Sequence, residues 1–149
     1  MSETSTARKM AEKQIFVPAT GLVKRTETIL LAEDQEGVRK FARTALQTFG
    51  YTVLEARDGK DAILVCKEHR GPIHLILTDV VMPGINGYEL VTHLSTFHPG
   101  IKILYMSGYP DEVISRHGNR ETKAGFLRKP FEPDDLLHKV RDVLNAPAT

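Results

Sequence analysis

Glu33 and Asp34 stand side by side after one short apolar run, Asp79 follows a second, and Ser107 and Lys129 close two more. Carboxylates brought together repel and raise one another's proton affinity unless a cation neutralises them. Magnesium suits such a set, because it prefers hard oxygen ligands, octahedral geometry and retained waters. A hydroxyl and an ammonium beside the same carboxylates would neutralise the oxygens of a transferring phosphoryl group, which is the main demand of phosphoryl-transfer chemistry. In that chemistry Asp79 is the nucleophile and an aspartyl-phosphate is the product.

The elements that must position these groups follow from the hydrophobic pattern. From Thr28 onward, short apolar runs alternate with helix-length amphipathic stretches, the signature of βα units and a parallel sheet. Strands are predicted at Thr28 to Ala32, Thr52 to Glu55, Leu75 to Thr78, Lys102 to Met106 and Gly125 to Leu127. The first, third and fourth are the most apolar and are expected to be central, with the others nearer the edges. Helices are predicted near Glu36 to Phe49, Gly59 to His69, Gly87 to Phe97, Asp111 to His117 and Asp134 to Leu144. Asp58 is expected to cap the second helix, Gly50 to close the first, and Pro133 to sit in the first turn of the last. The acids then lie at the carboxyl ends of strands, the edge where open α/β sheets bind ligands. They converge if the first and third strands are neighbours.

The 149 residues fit one domain, with 41% hydrophobic and 26% charged residues in ordinary globular proportion. A net charge of +1 creates no global field toward nucleic acid or an anionic membrane. With Cys66 the only cysteine, an internal disulfide and a cysteine metal cluster are excluded, and it is read as a small half-buried apolar residue. No run approaches the length of a membrane span or a signal peptide, so the chain is expected to be soluble and cytoplasmic. Residues 1–27 read as a flexible tail or linker, 28–145 as the folded domain and 146–149 as a C-terminal tail, with no effector domain expected to follow.

Glu33-Asp34, the string DVVMPGING from Asp79 to Gly87, Ser107, and Lys129-Pro130-Phe131 together resemble the signatures of the response regulator receiver family of two-component signalling, across roughly residues 28 to 145. The resemblance implies a doubly wound, flavodoxin-like (βα)5 fold of strand order 2-1-3-4-5. It implies Mg2+ held by Asp34, Asp79 and the backbone carbonyl of Val81, with Glu33 acting through water. Glu33 departs from the more usual Asp by one methylene. Lys129 and Ser107 are expected to contact the phosphoryl group, and Phe126 matches the family's switch aromatic, where many members carry Tyr. As Phe it would depend on packing alone, coupling phosphorylation to the surface of the fourth and fifth predicted helices. Val81 and Tyr109, which offer no acid or amide to orient water, are expected to give slow self-dephosphorylation. The implied partners are a sensor histidine kinase or histidine phosphotransfer protein and a downstream protein, with the chain a monomer or a phosphorylation-dependent dimer and a phosphoacceptor rather than a turnover enzyme.

Bland roles stand beside these. Asp34 alone would serve as a helix cap, Lys129 as a surface lysine, Phe126 as a core aromatic, and the Lys24-Arg25 pair as solvated surface. Gly84 and Gly87 read as turn residues needing permissive backbone angles. Three other functions remain in view. One is the C-terminal receiver of a hybrid sensor kinase, since Ile15 to Ala19 (IFVPA) resembles the last strand of a kinase ATPase domain and MSGY at 106–109 is common in that setting. Another is a receiver-like module that binds without phosphorylation. The third is a magnesium-dependent aspartyl-nucleophile phosphatase of the haloacid dehalogenase type, which expects a second Asp where this chain has Val81.

Overall fold

The structure, a computed structural model, describes residues 25–108 and 125–147. Five parallel strands, β1 (Thr28–Ala32), β2 (Thr52–Ala56), β3 (Leu75–Asp79), β4 (Lys102–Ser107) and β5 (Gly125–Arg128), form one sheet in the order β2-β1-β3-β4-β5. Four helices are described: α1 (Glu36–Thr48), α2 (Gly59–Glu68), α3 (Gly87–Phe97) and α4 (Pro133–Asn145). The helix predicted at Asp111 to His117 lies outside the described residues, as does Tyr109.

The apolar runs of β1, β3 and β4 are the most continuous because these central strands are covered on both faces, whereas the edge strands β2 and β5 carry exposed residues. In β1, Ile29 and Leu31 point into a core shared with Ala42 and Leu46 of α1 and with Leu136, Val140 and Val143 of α4. Leu30 and Ala32 point the other way, toward Ala62 and Cys66 of α2 and Leu90 and Leu94 of α3. Each fully buried Leu or Ile contributes about 1.5–3 kcal/mol relative to exposure. Cys66 is 3% exposed, so it belongs to this second core and is not half-buried as expected, because its helix face turns onto the sheet.

The helix ends follow local chemistry. Asp58 accepts from the Asp61 amide at the start of α2, Pro133 occupies the first turn of α4, and Gly50 takes a left-handed conformation (φ 100°) beyond α1. Asn86 and Glu89 form a reciprocal capping box at the start of α3, which fixes where the β3–α3 loop ends. No described helix is long and apolar enough to cross a membrane.

Four strands run one residue beyond their predicted ends. The ladder continues through polar residues, pairing Asp79 with Met106 and Ser107 with Arg128. Asp79 and Ser107 are therefore terminal strand residues rather than loop residues, held by the sheet itself.

Candidate functional site

The β1–β3 adjacency brings the three acids together. Oxygens of Glu33, Asp34 and Asp79 lie within 4.8 Å of one another at the carboxyl edge of the sheet. Glu33 is fully buried, Asp79 is buried and Asp34 is exposed. The N-cap of α1 is Gln35, so Asp34 does not occupy the capping position that a bland reading would give it. Asp34, Asp79, Val81, Gly108 and Lys129 border an open cleft of about 530 Å³.

Lys129 enters from the end of β5, where its amide donates to the Ser107 carbonyl at 2.9 Å. Its Nζ donates to Asp79 Oδ2 at 2.9 Å and stands 2.9 Å from Glu33 Oε1. The second contact is an ion pair without hydrogen-bond alignment, and it leaves buried Glu33 Oε1 unsatisfied. The other Glu33 oxygen, Oε2, accepts from the Gln35 amide at 2.9 Å.

Charge is unbalanced here. Burial pushes the Asp79 carboxyl above its ordinary value, opposed by the Lys129 hydrogen bond and reinforced by Asp34. Burial likewise raises Glu33, with Lys129 and the Gln35 amide pulling it down and Asp79 adding to the rise. Lys129 is pulled down by burial, yet the close Glu33 and Asp79 carboxylates outweigh this and hold it above its ordinary value. The partners move in these directions because one ammonium serves two buried carboxylates: it gains two interactions, while each carboxylate receives less than burial costs it. An all-oxygen donor set with surplus negative charge and one unsatisfied buried oxygen fits a hard divalent cation.

The β3–α3 loop is closed by the Gly87 amide donating to the Val80 carbonyl at 2.8 Å, while the Val80 amide donates to Met106 at 2.9 Å. Thr78 Oγ1 donates to the Asp79 carbonyl at 3.0 Å. Gly84 has φ 79°, as a permissive turn position requires. Gly87 is needed for a different reason. It is absent from the left-handed residues, and a Cβ there would collide with the Asp79 carbonyl and the Val80 Cα, so the requirement is close approach. Val81 is 44% exposed at the cleft. Ser107 is buried at the end of β4.

Phe126 is half-buried and stacks on Tyr105, with ring centroids 5.2 Å apart and planes at 28°. Tyr105 also meets Tyr88 of α3 at 4.8 Å. Sequence reasoning missed this row of rings, and it missed Arg39 and Glu55, which bear on the acidic loop. A lone charge early in a helix, like Arg39, or on an edge strand, like Glu55, looks like ordinary solvated surface, so no pattern singled them out. Arg25 was likewise read as solvated surface, but its guanidinium lies 4.9 Å from the Phe49 ring centroid and donates to the Phe49 carbonyl. Lys24 lies outside the described residues.

Known proteins with this pattern are numerous. Residues 29–141 match the family described as response regulator receiver domain. The chain is 39% identical over 135 residues to the sensor kinase CckA of Brucella abortus (strain 2308), covering 91% of this chain and 14% of that protein. It is 34% identical over 118 residues to the response regulator receiver protein CpdR of the same organism, covering 79% of this chain and 97% of that protein. Among solved structures, the receiver domain from the hybrid histidine kinase CckA aligns with TM-score 0.67 at 34% identity, covering 79% of this chain and 99% of that one. The chemotaxis response regulator CheY4 of Vibrio cholerae aligns with TM-score 0.71 at 28% identity, covering 80% and 99%.

Proposed function

Because the chain belongs to the response regulator receiver family of two-component signalling, we propose that its domain, residues 28–145, accepts a phosphoryl group on Asp79 from a sensor histidine kinase or a histidine phosphotransfer protein. The observation that carries this reading is the placement of Asp79, at a strand end, 2.9 Å from Lys129 and beside Glu33 and Asp34. A receiver is a signalling module and not a dedicated enzyme.

An Asp79 carboxylate oxygen attacks phosphorus in line. A P–O bond forms as the P–N bond to the donor histidine breaks, and the electron pair leaves on the imidazole nitrogen. Lys129 steadies the carboxylate and then a phosphoryl oxygen, and Ser107 donates to another. Asp34, Asp79 and the Val81 carbonyl would hold Mg2+, with Glu33 supporting through water; when bound, the ion would supply neutralising charge for the carboxylates and the phosphoryl oxygens. Phe126 and Ser107 then report the phosphorylated state to a downstream protein. Val81 and Tyr109 make hydrolysis of the acyl phosphate slow, and Tyr109→Glu should accelerate it.

The test is intact mass after incubation with acetyl phosphate. A gain of roughly 80 daltons that requires both Mg2+ and Asp79 supports the reading. No adduct, with Mg2+ binding shown separately, leaves a module that binds without phosphorylation.

A second reading, that the chain is the receiver portion of a hybrid sensor kinase, is favoured by one observation. A similarity to sensor kinase CckA covering 135 of 149 residues must begin at or before Ile15, well ahead of the matched receiver region, whereas the similarity to CpdR spans only 118. The extra stretch includes the IFVPA string. The neighbouring coding sequence decides this: an open frame continuing upstream into a kinase supports it, and a stop ahead of Met1 refutes it.

A further inference from the structure

The backbone of the acidic turn is held from one side by a single side chain. Arg39 of α1 donates through Nη1 to the Glu33 carbonyl oxygen at 2.9 Å and through Nε to Glu55 Oε1 at 3.3 Å. Arg43, one turn further on, donates to Glu55 Oε2 at 2.7 Å. The Arg39 side chain is 14% exposed, so these bonds are largely shielded from water. On the other side, the Glu33 amide donates to the Ala56 carbonyl at 3.1 Å. Both backbone groups of Glu33 are thus tied, directly or through Arg39, to adjacent residues at the end of β2.

The Glu33 carbonyl and the Asp34 amide belong to one planar peptide unit. Fixing that carbonyl fixes the plane from which Asp34 leaves the backbone. Asp34 needs such fixing, because it is exposed and does not occupy the N-cap of α1. The two-pronged contact uses separate nitrogens of one rigid fork, which an ammonium does not reproduce.

We propose that Arg39 is a positioning residue for the cation site: by bridging the Glu33 carbonyl to Glu55, it sets the direction of Asp34 and so the affinity for Mg2+. This rests on the reading above that the three acids hold that ion. Partners acting one layer behind metal ligands typically govern affinity by 10–100-fold.

The experiment is calorimetric titration of the full chain with MgCl2, alongside metal-free thermal melting, for wild type, Arg39→Gln, Arg39→Lys and Arg43→Gln. The expected result is an Mg2+ Kd weakened about tenfold in Arg39→Gln and nearly as much in Arg39→Lys despite its retained charge. Arg43→Gln, which touches Glu55 but not the acidic turn, should bind Mg2+ within twofold of wild type, and saturating Mg2+ should restore Asp79 labelling by acetyl phosphate in the Arg39 variants. If Arg39→Gln does not fold, Arg39→Lys decides alone. Folded Arg39 variants that bind as wild type does overturn the proposal, as does an equal loss in Arg43→Gln, which would mean general loosening. A wild-type chain that binds no Mg2+ sinks the underlying reading of the site as well.

Discussion

Lys129 and Glu33 face each other at 2.9 Å as an ion pair, yet the buried Glu33 Oε1 has no aligned hydrogen bond, while Lys129 also donates to Asp79. Lys129→Ala should therefore strip two buried carboxylates of the ammonium that lies 2.9 Å from each. Breaking a buried pair from one side costs several kcal/mol, and partial exposure of Lys129 reduces this to about 2 kcal/mol. Melting without divalent cation should show the loss, and Mg2+ should stabilise the variant more than it does wild type. An unchanged metal-free melting temperature would contradict the charge imbalance described above.

Asp79→Asn should behave oppositely. Burial raises the Asp79 carboxyl above its ordinary 3.8. The folded state then binds the proton more tightly than the unfolded chain, so ionisation costs stability as pH rises through the folded value. The penalty is absent in acid below 3.8, grows as pH climbs from there, and is complete only above the folded value. Metal-free Asp79→Asn should thus melt higher than wild type at pH 7, and the difference should shrink toward zero as pH falls into the carboxylate range. Glu33→Gln should follow the same trend, since burial raises Glu33 too. A constant difference across pH would refute the assignment.

Gly87→Ala should destabilise the fold by about 1–3 kcal/mol, the usual cost of forcing a methyl into a packed site. The added Cβ meets the Asp79 and Val80 backbone, which cannot swing aside as a side chain would. The same displacement should weaken Mg2+ binding. Gly84→Ala, where a Cβ meets open space but φ is 79°, should cost stability without touching the cation site. Equal Mg2+ affinity in Gly87→Ala and wild type would show that the loop absorbs the methyl elsewhere.

Tyr105→Leu should release Phe126. Ring stacking contributes about 0.5–1.5 kcal/mol beyond area burial, comparable to a rotamer preference. Aromatic NMR signals of Phe126 should move toward averaged positions in the variant, and the change on adding beryllofluoride with Mg2+ should shrink relative to wild type. Identical Phe126 signals in both proteins would mean that Tyr105 does not hold the ring.

The strands and the acids at their ends were legible because each leaves a local mark: apolar runs of strand length, Asp or Glu at their ends, Lys-Pro after the last. The strand order, and with it the convergence of the acids, came only through the family resemblance, since no local pattern encodes which strands are neighbours. Gly87 was marked as structural for the wrong reason, since close approach to Asp79 depends on how the β3–α3 loop folds back, and no spacing encodes that. Arg39 and Glu55 are far apart in sequence and each resembles solvated charge. Their meeting exists only once β2 lies beside β1. The rings of Tyr88, Tyr105 and Phe126 come from three elements and share no period for the same reason.

Arg25 and Glu27 anchor the chain just ahead of β1: the Arg25 amide donates to the Gly50 carbonyl at 3.1 Å, and Glu27 pairs with Arg141 of α4 at 3.2 Å. The acids lie at the opposite end of β1, Glu33 six residues beyond Glu27, a distance of roughly 20 Å at about 3.3 Å per strand residue. Anything covalently joined before Arg25 is thus tethered at the far end of the sheet from Asp79. To deliver a group in cis, a tethered donor needs a linker long enough to pass around the domain. Below that reach its effective concentration at the cleft falls to near zero, and a second molecule competes on equal terms.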